Sequence, residues 1–190
     1  MKKLSLYLLL IGLVACETND DYSEATISGL SELPAGATKE PYDNNPNMVK
    51  VSYKEGSKTI VGDYLDGRPE GTWATFHANG LVNMTTSYVN GLKQGPYTEI
   101  DDRGQLQVSA YYHNDQLHGE WKQYNRARIK EERTYVNGKL EGLVKIYYDN
   151  GNIMEEGMYA NGVRDGLSKW YDQDGNVTIE YDYEEGQLKK

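Results

Sequence analysis

The chain has 190 residues, a formal net charge of −9, a single cysteine, 20 glycines and 17 tyrosines against one phenylalanine. One cysteine excludes a disulfide scaffold and a cysteine-built zinc ribbon. The acidic balance excludes a nucleic-acid binder, which needs a basic face to displace counterions from phosphate, and a mean hydropathy of −0.76 excludes a polytopic helical membrane protein.

Met1-Lys2-Lys3 is a short basic stretch, and Leu4 to Val14 is an apolar run of eleven residues. A bilayer span takes about 20 apolar residues, so this run fits the central region of a secretory signal. It ends in Leu13-Val14-Ala15-Cys16. That box resembles the bacterial lipoprotein signal. The resemblance implies cleavage after residue 15, leaving 1–15 as a signal peptide, and a diacylglycerol thioether on the Cys16 sulfur. Two or three acyl chains, at about 0.8 kcal/mol per buried CH₂, hold a protein durably on a membrane. Without Lys2 and Lys3 the chain keeps 18 basic and 29 acidic residues, a net of −11. Anionic lipid repels such a body, so the lipid is expected to be the sole membrane contact.

Residues 16–47 read as the lipidated cysteine and a flexible acidic tether. Glu17-Thr-Asn-Asp-Asp21 is acidic, Pro34, Pro41 and Pro46 punctuate the rest of the stretch, and no period is sustained. The acidic cluster is similar to tags that send some Gram-negative lipoproteins to the cell surface. The expected location is the cell envelope, at the outer membrane, on its periplasmic or surface side.

From residue 48 to 190 one unit of about 24 residues repeats. Tyr64, Tyr88, Tyr112, Tyr135, Tyr159 and Tyr183 succeed one another in steps of 24, 24, 23, 24 and 24. Behind them run Gly67, Gly91, Asp115, Gly138, Gly162 and Gly186, then Gly71, Gly95, Gly119, Gly142 and Gly166. Another series is Gly56, Gly80, Gly104, Gly151 and Gly175, with Ala127 in the remaining slot. Each unit divides into two strands and two turns. The first turn, as in His77-Ala-Asn-Gly80, carries the Asn/Asp-Gly signal of a type I turn closed by a left-handed glycine. The next strand alternates Val82, Met84, Thr86, Tyr88 with Asn83, Thr85, Ser87, the pattern of a half-buried antiparallel strand. In the second turn, Tyr-x-Asn-Gly-x-x-x-Gly, two glycines are expected to reverse the chain. No apolar helical period survives. The expected fold is all-β, an elongated antiparallel meander of about six hairpin repeats, spanning roughly 55 Å at about 4.8 Å per strand.

Gly71-Thr-Trp73-Ala-Thr-Phe76 and Gly119-Glu-Trp121-Lys-Gln-Tyr124, together with the Asn-Gly turns behind them, resemble the bacterial variant of the MORN repeat. The whole arrangement is similar to the YwqK-family antitoxins. The resemblance implies a β-hairpin repeat scaffold that binds a protein partner, a toxin or an envelope protein.

The unit at 119–142 departs from its neighbours. It is one residue short, has Ala127 for the turn glycine, and carries the basic run Arg126-Ala-Arg128-Ile-Lys130. Trp121, Arg126, Arg128 and Lys130 are therefore the candidate partner contacts. Reactive groups are not assembled in the sequence. His77, His113 and His118 fall at different points of the unit and read as surface residues rather than metal ligands. Asp172-x-Asp174-Gly-Asn176 lacks the glycine and glutamate of a calcium loop, and Asp101-Asp102 sits at a hairpin tip. No phosphate loop, dinucleotide fingerprint or nucleophile elbow occurs. The reading assigns no catalytic residue, metal or cofactor. The leading function is a lipid-anchored module that binds another envelope protein, antitoxin-like. The alternative is an accessory lipoprotein of an outer-membrane complex, with a glycan-acting enzyme third.

Overall fold

The computed structural model describes residues 33–189. The segment 1–15 read as a signal peptide and the lipid attachment expected at Cys16 lie outside the described residues. Within them sixteen strands succeed one another: β1 (Thr38–Tyr42), β2 (Asn45–Glu55), β3 (Lys58–Leu65), β4 (Arg68–Phe76), β5 (Val82–Val89), β6 (Leu92–Ile100), β7 (Leu106–His113) and β8 (Gln116–Leu117), then β9 (Gly119–Asn125), β10 (Arg128–Val136), β11 (Lys139–Leu140), β12 (Gly142–Tyr147), β13 (Ile153–Ala160), β14 (Val163–Tyr171), β15 (Val177–Glu184) and β16 (Gln187–Leu188). They form one open antiparallel sheet whose strand order is that of the chain, with β8 beside β7 and β11 beside β10. The all-β hairpin meander read from the period is the fold observed.

The sheet starts earlier than the sequence pattern indicates. β1 and the first residues of β2 fall within 16–47, the stretch read as a tether. Pro41 hid this strand. A proline is tolerated on an edge strand, because its missing N–H is not needed there, and β1 is the first strand of the sheet.

The two turn classes differ in backbone. At the first, the amide of Gly80 donates to the carbonyl of His77 at 2.9 Å, and those of Gly104, Gly151 and Gly175 donate likewise to Asp101, Tyr148 and Asp172. At the second, both central residues have positive φ: 52° and 85° at Asn90-Gly91, 48° and 79° at Asn137-Gly138. That is the type I′ pair whose twist matches two right-twisted strands. The second glycine of the motif does not reverse the chain. Gly71 lies inside β4 and Gly95 inside β6, with φ of 65° and 106° and a register shift in the β3 and β5 ladders beside them. A Cβ on Gly71 would meet no atom within 4 Å, so its backbone angle, not space, demands glycine.

Alternation puts side chains on two faces. One carries the tyrosines; it also holds the apolar cluster of Val49 and Val51, 3% and 0% exposed, packed by Leu33, Tyr64 and Trp73. The tyrosines of the 24-residue series are only half-buried. In four units the position two residues before the tyrosine is buried, at Gly62, Thr86, Ala110 and Gly157. A Cβ on Gly62 would stand 2.1 Å from the Trp73 ring. At Gly62 the floor is thus roofed by the Trp73 ring of the next strand, and at Gly157 by Arg164 and Ser168.

Candidate functional site

On the tyrosine face the rings meet edge to face. Tyr64 and Trp73 are 5.3 Å apart, Trp73 and Tyr88 6.0 Å, and Tyr97 and Tyr112 5.5 Å. Such pairs add about 0.5–1.5 kcal/mol each beyond their buried area. A shallow depression of about 280 Å³ opens here between Tyr53, Tyr64, Trp73, Met84 and Tyr88. Farther along the chain, arginines join the rings, although Trp170 still meets Tyr181 edge to face at 6.0 Å. The Arg133 guanidinium lies 4.9 Å above Trp121, and its Nε donates to Glu131 at 2.6 Å. Arg164 sits between three rings, 5.3 Å from Tyr159, 5.2 Å from Trp170 and 5.7 Å from Tyr183. It also pairs with Glu155 and donates to the buried Ser168 hydroxyl at 2.9 Å.

The opposite face carries one row that crosses the whole sheet. Its first half runs Thr38, Ser52, Val61, Ala74, Thr85, Thr98, Ser109. Its second half runs Lys122, Glu132, Lys145, Glu156, Lys169, Glu180. Lys122 stands 3.9 Å from Glu132, and Lys169 3.4 Å from Glu180. Tyrosines one step along donate to the glutamates: Tyr147 to Glu132 at 2.8 Å and Tyr171 to Glu156 at 2.5 Å. Burial and then the Glu132 carboxylate push the Tyr147 phenol up to about 12. For Tyr171 the Glu156 hydrogen bond comes first and burial second, again reaching about 12.

The candidate contacts are split between places. Trp121 is in mid-strand on the tyrosine face, under Arg133. Arg126, Arg128 and Lys130 are together at the β9–β10 hairpin. Arg126 and Ala127 form its two-residue turn, with φ of 51° and 63°. The missing residue of this unit is therefore one of the three that the other turns enclose, as between His77 and Leu81, and what is left is a type I′ turn without glycine. Arg128 Nη1 donates to the Asp149 carbonyl and Lys130 Nζ to its carboxylate, each at 2.6 Å. Lys130 foremost, then Arg126 and Arg128, hold the Asp149 carboxyl below its usual range. Arg126 makes neither contact and borders a depression of about 400 Å³ with Gly104, Leu106 and Tyr124. Sequence reasoning missed Arg133 and Arg164, because a single arginine in a strand carries no signal until register places it beside a ring.

The histidines and the turn aspartates have local duties. His77 Nε2 contacts the Ile100 carbonyl at 2.8 Å, and His113 Nδ1 contacts Gln94 at 3.0 Å. Asp101 and Asp172 each accept amides two and four residues ahead, closing hairpin turns. Among the described residues no group of three or more His, Cys, Asp or Glu could hold a metal, and no helix is long and apolar enough to cross a membrane.

Compared with known families, residues 140–161 and 164–185 match the model of the MORN repeat variant. Those segments correspond to β11–β13 and β14–β15 of the sheet. No curated protein matches the chain.

Proposed function

We propose that this chain is a non-enzymatic binding module, held at the cell envelope by lipid on Cys16, whose repeat sheet engages another protein. One observation carries the reading. Tyr64, Trp73, Tyr88, Tyr97, Tyr112 and Trp121 line one face of a sheet over which the described residues place no second layer. Half-exposed aromatic rings held rigidly by a scaffold are what protein interfaces draw on, since they supply area at little entropic cost. The MORN-variant match supports a repeat module. The finer reading, neutralisation of a toxin met outside the cytoplasm, rests on the resemblance of the repeat arrangement to antitoxins.

The test is affinity capture with the full chain from detergent-solubilised envelopes. A specific protein is expected with the wild type. Trp121→Ala, or Arg126→Glu with Arg128→Glu, should reduce its recovery. Cys16→Ser should move the protein to the soluble fraction while leaving purified-component binding intact. Recovery of nothing above background would count against the module. Co-purification of a β-barrel would make it an accessory subunit instead.

A further inference from the structure

The last strands leave part of the sheet unfinished. β15 pairs with β14 along its length, but with β16 only through Tyr183 and Glu184. The Lys189 amide donates to the Asp182 carbonyl at 2.9 Å, so Asp182 points its backbone groups to the outer edge. Period-two alternation gives Glu180 the same direction, up to the register shift that leaves Thr178 without a β14 partner between Val177 and Ile179. Beyond Asp182 no described strand takes up that edge. The strand is exposed along nearly its whole length, with Val177 at 49%, Ile179 at 45% and Tyr181 at 45%.

Charge decides what can complete it. Within the row, Glu132 has a lysine in register on each side, Lys122 and Lys145, and Glu156 has Lys145 and Lys169. Glu180 has Lys169 alone. A strand added beyond β15 would set one residue opposite Glu180 and its two neighbours beside Ile179 and Tyr181 on the tyrosine face. The fitting residues are Lys or Arg at the first place and apolar ones at the other two. A second copy does not fit. Another β15 would oppose Glu180 and Asp182 with their own kind, and β1 offers Glu40 and Pro41, its Lys39 lying on the face of Val51 rather than that of Glu180. Nor does the chain's own segment 17–32, which has five acidic residues and no basic one.

We propose that the outer edge of β15 accepts an extended strand of the partner protein in which apolar residues alternate with Lys or Arg. This deepens the protein-binding reading and rests on it. Backbone bonds to Glu180 would supply affinity, and the lysine opposite Glu180 would supply selection.

The test is fluorescence anisotropy of the full chain with three labelled heptapeptides: alternating Val and Lys, alternating Val and Glu, and the Lys peptide with a central proline. The Lys peptide should bind, more weakly as salt rises, and the other two should not. Glu180→Pro removes an outward N–H without touching the β14 ladder, so it should abolish binding while the melting curve is retained. Glu180→Lys should shift preference toward the Glu peptide by about fivefold. Equal binding of the Lys and Glu peptides, or binding that survives Glu180→Pro in a folded protein, would overturn the proposal. So would sedimentation showing wild-type self-association that Glu180→Pro dissolves. Capture of an envelope partner insensitive to Glu180→Pro would sink the edge and spare the binding module. Edge-dependent peptide binding with no envelope partner recovered would do the reverse.

Discussion

The strands up to β7 and those from β9 onward share one backbone scheme and are held together by different chemistry. In the first region the cross-sheet row is neutral and small, with Thr85 and Thr98 hydroxyls 2.6 Å apart, and the other face packs Val49, Val51 and Trp73. In the second region the same row alternates Lys and Glu, and the rings on the other face are covered by Arg133 and Arg164. A hairpin repeat needs its turns and bulge glycines. It leaves the strand centres open to either apolar or ionic solutions. The two solutions respond differently to cavity, salt and pH, and that difference can be broken experimentally.

The largest effect is expected where packing dominates. Trp73→Ala uncovers Gly62 and Val51 and should cost about 3 kcal/mol in urea unfolding, toward the low end for a half-exposed ring. Trp170→Ala, whose ring meets Arg164 and the exposed Tyr181 and covers no buried valine, should cost distinctly less. Equal losses would erase the contrast. Next comes the shortened turn. Arg126→Asn with Ala127→Gly gives the residues that a type I′ turn prefers and should stabilise the chain by about 1–2 kcal/mol, read as a raised melting temperature.

The ionic row should yield less. Lys145→Glu would line up three carboxylates with Glu132 and Glu156, costing about 1 kcal/mol at low salt and little at 1 M. Thr98→Glu in the neutral row lacks flanking carboxylates at Thr85 and Ser109 and should show no comparable salt dependence. The smallest effect is the phenol titration. Folding holds Tyr147 and Tyr171 protonated to about 12, above the ordinary 10.0. Their contribution is whole below pH about 10 and is lost as pH climbs through about 12. In an ultraviolet titration, Glu132→Gln and Glu156→Gln should bring these two phenols back down. Tyr97, raised by burial and by its bond to Glu99 in the first region, should stay late.

The hairpin frame was legible in the residues alone. The glycine of every Asn-Gly and Asp-Gly pair adopts left-handed backbone, and period-two alternation sorts side chains onto two faces with no knowledge of neighbours. The short unit was legible as an irregularity at Ala127, though not as a type I′ turn. What meets across strands was not legible, and it took the folded sheet to fix it. The row Lys122, Glu132, Lys145, Glu156, Lys169, Glu180 has uneven steps along the chain, because bulges at Ile129/Glu131 and Gly157/Tyr159 shift the ladder between one strand and the next. Register likewise puts Trp73 over Gly62, lays Arg164 among three rings, separates Trp121 from Arg126, and leaves Glu180 with one lysine instead of two. Local propensity sets turns and faces, whereas cross-strand partners depend on a register that only hydrogen bonding between distant residues establishes.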